Sequence, residues 1–244
     1  MSIAEKFEVI ADEVYEKGKK AEYDKFWDVF QQNGSRTKYE SAFANGFFDF
    51  RNFYPKYDIN IINGSMAFYN WKQYNETFTK GSLKQRLEEC GAKLNTSQAT
   101  NLSNCFSYGL FTELPTINLT GLTSASANMF SYNYGYLKTI EKIIVDENTP
   151  IASSMFTQDT GLENLVIEGT IAKNNFNVQW CTKLSSASIV SIIEALSETT
   201  SGLTVTLSQT AVNNMVFPIV GNKGTYNSWT DLEQSKTNWT ISLL

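Results

Sequence analysis

Apolar positions along this chain change period several times, and each change marks a different element. Ile3, Phe7, Ile10 and Val14 recur at four, three and four residues with charged residues between them, the stripe of an amphipathic helix with heptad-like spacing. Ser2 and Glu5 have capping-box spacing at its start, and the pattern stops at Gly18. The stripe suits packing on the chain's own domain or a dimeric or trimeric bundle. A second helix is predicted over about residues 20–32, with Tyr23, Phe26, Trp27 and Phe30 on one face and Asn33-Gly34 ending it. Periodicity then gives way to an aromatic-dense stretch from Tyr39 to Phe78, punctuated by Pro55 and Asn63-Gly64, where short strands and irregular turns are expected. A short helix around residues 82–90 follows, carrying Leu83, Leu87 and Cys90 on one side.

From there a repeat dominates. Phe111, Leu114, Ile117 and Leu119 have the spacing of Leu137, Ile140, Ile143 and Val145, 26 residues later; Leu162, Leu165 and Ile167 follow in a third copy one residue shorter. An anchoring pair precedes each copy, at Cys105-Phe106, Met129-Phe130 and Met155-Phe156, and a degenerate fourth copy carries Phe176 and Leu184. Alternating apolar residues make a short strand with one inward face. One unit cannot bury that face alone, so consecutive units must stack.

A terminal unit is read from Ile189, Ile192, Ile193 and Leu196, at helical spacing over about Ser186 to Ser197. Gly202 breaks that helix, and Leu203, Val205 and Leu207 alternate as a strand. The end reads as a short helical turn from Trp229 and a strand through Trp239, Ile241 and Leu243. The expected fold is α+β: an N-terminal helical segment followed by a short leucine-rich-repeat-like β-solenoid with a helix-plus-strand C-terminal cap. Three regions result: residues 1–32, a helical attachment or oligomerisation segment; 33–91, an aromatic-rich connecting region; and 92–244, the solenoid with its cap.

Composition narrows the function classes. The chain has no run of about eighteen apolar residues, and its first residues form a charged amphipathic segment rather than an apolar signal peptide. Synthesis as a soluble cytoplasmic protein, with no membrane insertion, is expected. The net charge of −5 comes from an acidic excess in residues 101–244, while residues 1–100 balance. Without a basic stripe, no nucleic-acid partner is expected. The absence of histidine excludes Ser–His–Asp and Cys–His nucleophilic catalysis and every histidine-based metal site. Cys90, Cys105 and Cys181 are widely spaced and odd in number, neither a disulfide framework nor a zinc site; Cys105 reads as a small buried hydrophobe. No cofactor or metal is expected.

With the repeats placed, the chain resembles the BspA-like leucine-rich repeat proteins of bacteria and their phages. The Met/Cys-Phe anchors and the Leu-x-x-Ile/Leu-x-x-Ile units of residues 102–184 carry that likeness. Its ends are more specific. The stretch Val14-Tyr15-Glu16-Lys17-Gly18-Lys19-Lys20-Ala21-Glu22-Tyr23-Asp24-Lys25-Phe26-Trp27 resembles the opening of leucine-rich repeat proteins encoded by phages and prophages of gut bacteria. Lys236-Thr237-Asn238-Trp239-Thr240-Ile241-Ser242-Leu243 resembles their closing strand. The resemblance implies a non-catalytic virion structural protein of tail, baseplate or fibre, made in the host cytoplasm, with a role in host contact. The family brings no catalytic motif to transfer.

Two residue groups are candidates for chemistry. Asp146-Glu147 follows one strand and Glu168 lies at the equivalent place one unit later, so stacking could approximate a carboxylate pair of the kind glycosidases use. Solvated turn carboxylates explain them equally well. Tyr108, Tyr132, Tyr134 and Tyr136 fall between anchoring Phe and strand, and Tyr-Asn-Tyr-Gly-Tyr has the make-up of an adaptable binding loop. The Asn-x-Ser/Thr sequons at Asn63, Asn75, Asn95, Asn101, Asn118 and Asn238 follow from an Asn-, Ser- and Thr-rich composition and imply no glycan. The expectation is a phage structural protein and not an enzyme. Ile3, Phe7, Ile10 and Val14 would mediate a homo-oligomer, first of all a trimer, and join other virion proteins. Tyr108, Tyr132, Tyr134 and Tyr136 would meet a host-surface glycan or protein. A bacterial cell-surface or secreted adhesin is the alternative, and a polysaccharide depolymerase the second.

Overall fold

The computed structural model describes residues 21, 24–31, 38–44, 53–70, 81–109 and 111–244. Ile3, Phe7, Ile10 and Val14 lie outside these residues. A helix, α1, spans residues 24–30. Strands β1 (Ile59–Asn60) and β2 (Gly81–Ser82) precede helix α2 (Leu83–Cys90) and strand β3 (Leu94–Asn95). Ser82 caps α2 by accepting from the Gln85 N–H, and Gly91 ends it in the left-handed conformation, as a residue without a Cβ can.

The repeats form β4 (Phe111–Leu114), β5 (Ile117–Asn118), β6 (Thr139–Val145) and β7 (Asn164–Gly169). β4 and β5 both pair in parallel with β6, joining Leu114 to Ile140 and Ile117 to Ile143. On its other edge β6 pairs with β7 through Ile140 to Leu165 and Ile143 to Ile167; the register shifts between those pairs, absorbing the residue that the third copy lacks. The inward residues Leu114, Ile117, Ile140, Ile143, Leu165 and Ile167 are all buried.

The ladder stops at β7, and this overturns the expected leucine-rich-repeat-like β-solenoid. Helix α3 (Ser186–Ala195) lies where a further strand would pair. The hydroxyls of Ser188 and Ser191 accept from the N–H groups of Leu165 and Ile167, each at 2.9 Å. The next strand, β8 (Phe176–Asn177), pairs instead with β9 (Leu203–Leu207), and β9 with β12 (Trp239–Leu243), in a separate three-stranded parallel sheet. Helices α4 (Gln209–Asn213) and α5 (Trp229–Gln234), with the hairpin β10 (Ile219–Val220) and β11 (Thr225–Tyr226), complete this end. The fold is α+β, and among the described residues mostly parallel strands are divided among four sheets, with few, short helices. The elements expected after residue 186 form, but they do not cap a solenoid: one buried core runs from Trp27 to Trp239.

A column of phenylalanines holds the core together. Phe43, Phe68, Phe106, Phe130 and Phe156 stack in order, with ring centroids 4.9, 5.4, 5.7 and 5.3 Å apart, and Phe176 closes the column edge-on at 5.9 Å. All six rings are buried. Each stacked pair adds about 0.5–1.5 kcal/mol beyond area burial. The turns carrying the rings also hydrogen-bond to one another, from Phe43 N to Ala67 O, Phe68 N to Cys105 O, Phe106 N to Met129 O and Phe130 N to Met155 O.

Candidate binding face

The turns that bury the phenylalanines carry tyrosines beside them. Backbone torsions repeat with the turns: Met66 and Asn70, Asn104 and Tyr108, and Asn128 and Tyr132 all have φ between 53° and 64°, and Tyr134 has φ 50°. A bulky residue in the left-handed region is strained, on the order of 1–3 kcal/mol, and persists where surrounding structure fixes it. Here the fixing groups are buried. The Asn133 side chain, fully buried, accepts from Gly109 N at 2.7 Å and donates to Phe130 O; Asn133 N donates to Asp159 Oδ1 at 3.0 Å. The hydroxyls of Ser107 and Ser131, also buried, donate to Asn128 O and Ser154 O in the neighbouring turns.

This framework lines up the aromatic side chains. Tyr108 and Tyr132 stack with centroids 4.7 Å apart at 12°, close to the spacing of adjacent strands. Tyr69 meets Tyr108 edge-on at 5.6 Å, and Tyr134 lies against Tyr132 at 6.4 Å, tilted by 60°. Mutual stacking takes up ring faces, so the row presents edges and hydroxyls, whereas Tyr134, 43% exposed, presents a ring. Burial raises the Tyr108 phenol above its ordinary pKa, with further contributions from Tyr132, Tyr69 and Tyr134. Tyr136, half-buried, donates its backbone N–H to Asn133 O at the end of the same loop. Three of the four expected residues thus form one row, Tyr136 ends its loop, and Tyr69 joins the row. Its signal lay in Ala67-Phe68-Tyr69, a small residue and Phe at the start of an aromatic pair, hidden by a longer and irregular spacing.

Asp146 and Glu168, two of the candidate carboxylates, each have another partner. Asp146 closes its own turn, accepting from Asn148 N at 2.9 Å and Thr149 Oγ1 at 2.8 Å. Glu168 pairs with Lys142 across the β6–β7 ladder. Cys105 and Cys181 are buried thiols with raised pKa; burial raises both, and for Cys181 the neighbouring Asp159 adds to it. Among the described residues no group of three or more Cys, Asp or Glu is placed to hold a metal ion. No described helix is long and apolar enough to cross a membrane.

No family model, curated protein or solved structure matches this chain. The chemistry of the face therefore rests on its own geometry: rigid aromatic side chains, few charges, and backbone fixed by buried hydrogen bonds. Rings of this kind contribute contact area at low entropic cost.

Proposed function

We propose that this chain is a non-catalytic binding protein of a phage particle, in the tail, baseplate or a fibre, and that its tyrosine face meets a host-surface glycan or protein. The observation that carries the binding role is the row Tyr69, Tyr108, Tyr132 and Tyr134, ordered by stacking and by backbone torsions that the buried Asn133 and Ser131 sustain. The virion setting is supported by the likeness of the chain's two ends to phage-encoded proteins. Attachment to the particle is assigned to the heptad-spaced residues Ile3, Phe7, Ile10 and Val14.

The test uses the full chain with Tyr132→Asn and Tyr134→Asn together, because asparagine tolerates the left-handed conformation. Labelled wild-type protein is expected to bind envelopes of a susceptible gut bacterium, and the double variant to lose that binding while melting at the same temperature. Binding that survives in a folded double variant rejects the tyrosine face. Envelope binding by a protein that immunogold labelling never finds on particles would favour an adhesin over a virion component.

A further inference from the structure

Away from the tyrosine face, a concave site opens between α2 and the strands β3, β5 and β6. It has a volume of about 490 Å³, in the range of small-ligand sites, and none of the tyrosines of the binding face lines it. Pro115-Thr116 opens it. Between β4 and β5 the chain leaves the ladder, so the Thr116 N–H has no strand partner and bonds instead to the Glu141 carboxylate at 3.1 Å, joined by the Thr116 hydroxyl at 3.0 Å. The other Glu141 oxygen takes Lys84 at 3.2 Å, and Lys84 also lies 3.7 Å from Glu113. These contacts fix Glu141 and Lys84 at one wall. Lys84 is held above its ordinary pKa by Glu141, and Glu141 is lowered by Lys84 and Thr116 against the opposing effect of burial.

We infer that this groove is a binding site for a neutral, polyhydroxylated ligand, a saccharide of one or two rings. Its lining carries Lys84 and Lys93 against Glu88 and Glu141, and Glu113 also neighbours Lys84, so no positive excess is left for a phosphate. Neutral side chains that both donate and accept, Asn95 and Ser97 among them, lie beside Leu87, Leu94, Pro115 and Ile144, while the buried Thr96 hydroxyl is bonded to the Asn118 backbone and holds β3 to β5. Hydroxyls of a sugar both donate and accept, and its C–H face suits an aliphatic floor. The fixed carboxylate and ammonium supply charge-assisted hydrogen bonds without reordering on binding.

The experiment titrates the full-length protein with maltose, cellobiose and lactose by ligand-observed NMR, with inorganic phosphate and spermidine as charged comparators. At least one disaccharide is expected to bind. Ser97→Trp, which fills the groove, should abolish that binding with the melting temperature unchanged, while Tyr132→Asn with Tyr134→Asn retains it. Glu141→Gln, which keeps the acceptor for Thr116 and removes the charge, should weaken it about tenfold, and decides the matter should Ser97→Trp fail to fold. Failure of all three disaccharides to bind overturns the inference, as does binding of only phosphate or spermidine. Saccharide binding lost in the tyrosine variant and kept in Ser97→Trp also overturns it, because the sugar then sits on the other face.

Discussion

Phe130 sits in the middle of the phenylalanine column, with Phe106 on one side and Phe156 on the other. Phe130→Ala leaves a cavity that neighbouring backbone, bonded turn to turn, cannot close, so a loss of about 3–5 kcal/mol is expected in denaturant unfolding. Asp159 poses the opposite problem. It is fully buried, its Oδ1 accepts from Asn133 N, its Oδ2 has no partner, and Cys181 is the ionisable neighbour that feels it. Burial raises its pKa well above 3.8, opposed by the Asn133 hydrogen bond. A carboxyl raised on folding favours the native state most below its unfolded pKa and progressively less as pH rises towards the folded value. Asp159→Asn should therefore raise the melting temperature at neutral pH, and the gain over wild type should vanish as pH falls to about 3.8. A difference that is constant with pH would show that the carboxyl's ionisation is not its source.

At the scale of elements, close approach between turns sets the shape of the binding loop. Gly161 donates its N–H to Tyr134 O at 2.8 Å, and a Cβ there would lie 2.6–2.7 Å from the Gly135 backbone. Gly161→Ala must push these turns apart; we expect a lower melting temperature, a weakened Tyr132–Tyr134 contact seen as altered tyrosine NMR shifts, and reduced envelope binding. The sequon-like tripeptides have a structural origin. Asn63, Asn101 and Asn118 each accept, through the side-chain oxygen, from the N–H two residues on, the Asx-turn that starts the next segment. The closing strand has a similar local logic. Lys236 Nζ donates to Leu196 O, Asn238 Nδ2 and Trp239 Nε1 to Ser197 O, so the residues of the closing motif fasten the end of α3.

For the whole molecule, the core begins earlier than the repeats. Trp27 is buried against Phe43 and Phe53, and Gln31 donates to the Tyr39 hydroxyl at 3.0 Å. An attachment element separable from the folded body is therefore sought in residues 1–20. Their deletion should leave the melting temperature of the body within a few degrees, and should reduce the mass measured by light scattering from that of an oligomer to that of a monomer. An unchanged mass would move self-association to another surface. Removal of residues 1–32 should instead lower the melting temperature, because it takes Trp27 and Gln31 out of the core.

Much of this was written in the spacing. The interval between apolar copies reappears as the register joining Ile117 to Ile143, and the third copy's missing residue as a ladder irregularity in β6. Helix α3 follows from Ile189, Ile192, Ile193 and Leu196, and the α+β content from alternation in one segment and helical spacing in another. The tyrosines of the face could be named because they stand beside repeated anchors. Periodicity reports which side chains point inward; it does not report what takes the last free edge of a sheet. Two serine hydroxyls on α3 end the ladder at β7, and no interval between apolar residues distinguishes that outcome from one more strand. Phe43 and Phe68 stand in the aromatic-dense stretch, but their turns recur at unequal distances, and only stacking in space puts them in one column. The groove beneath α2 depends on the lift of Pro115-Thr116 away from β6, and Asn133 on being turned inward between two tyrosines. Both are consequences of which backbone groups remained to be satisfied once the chain had packed.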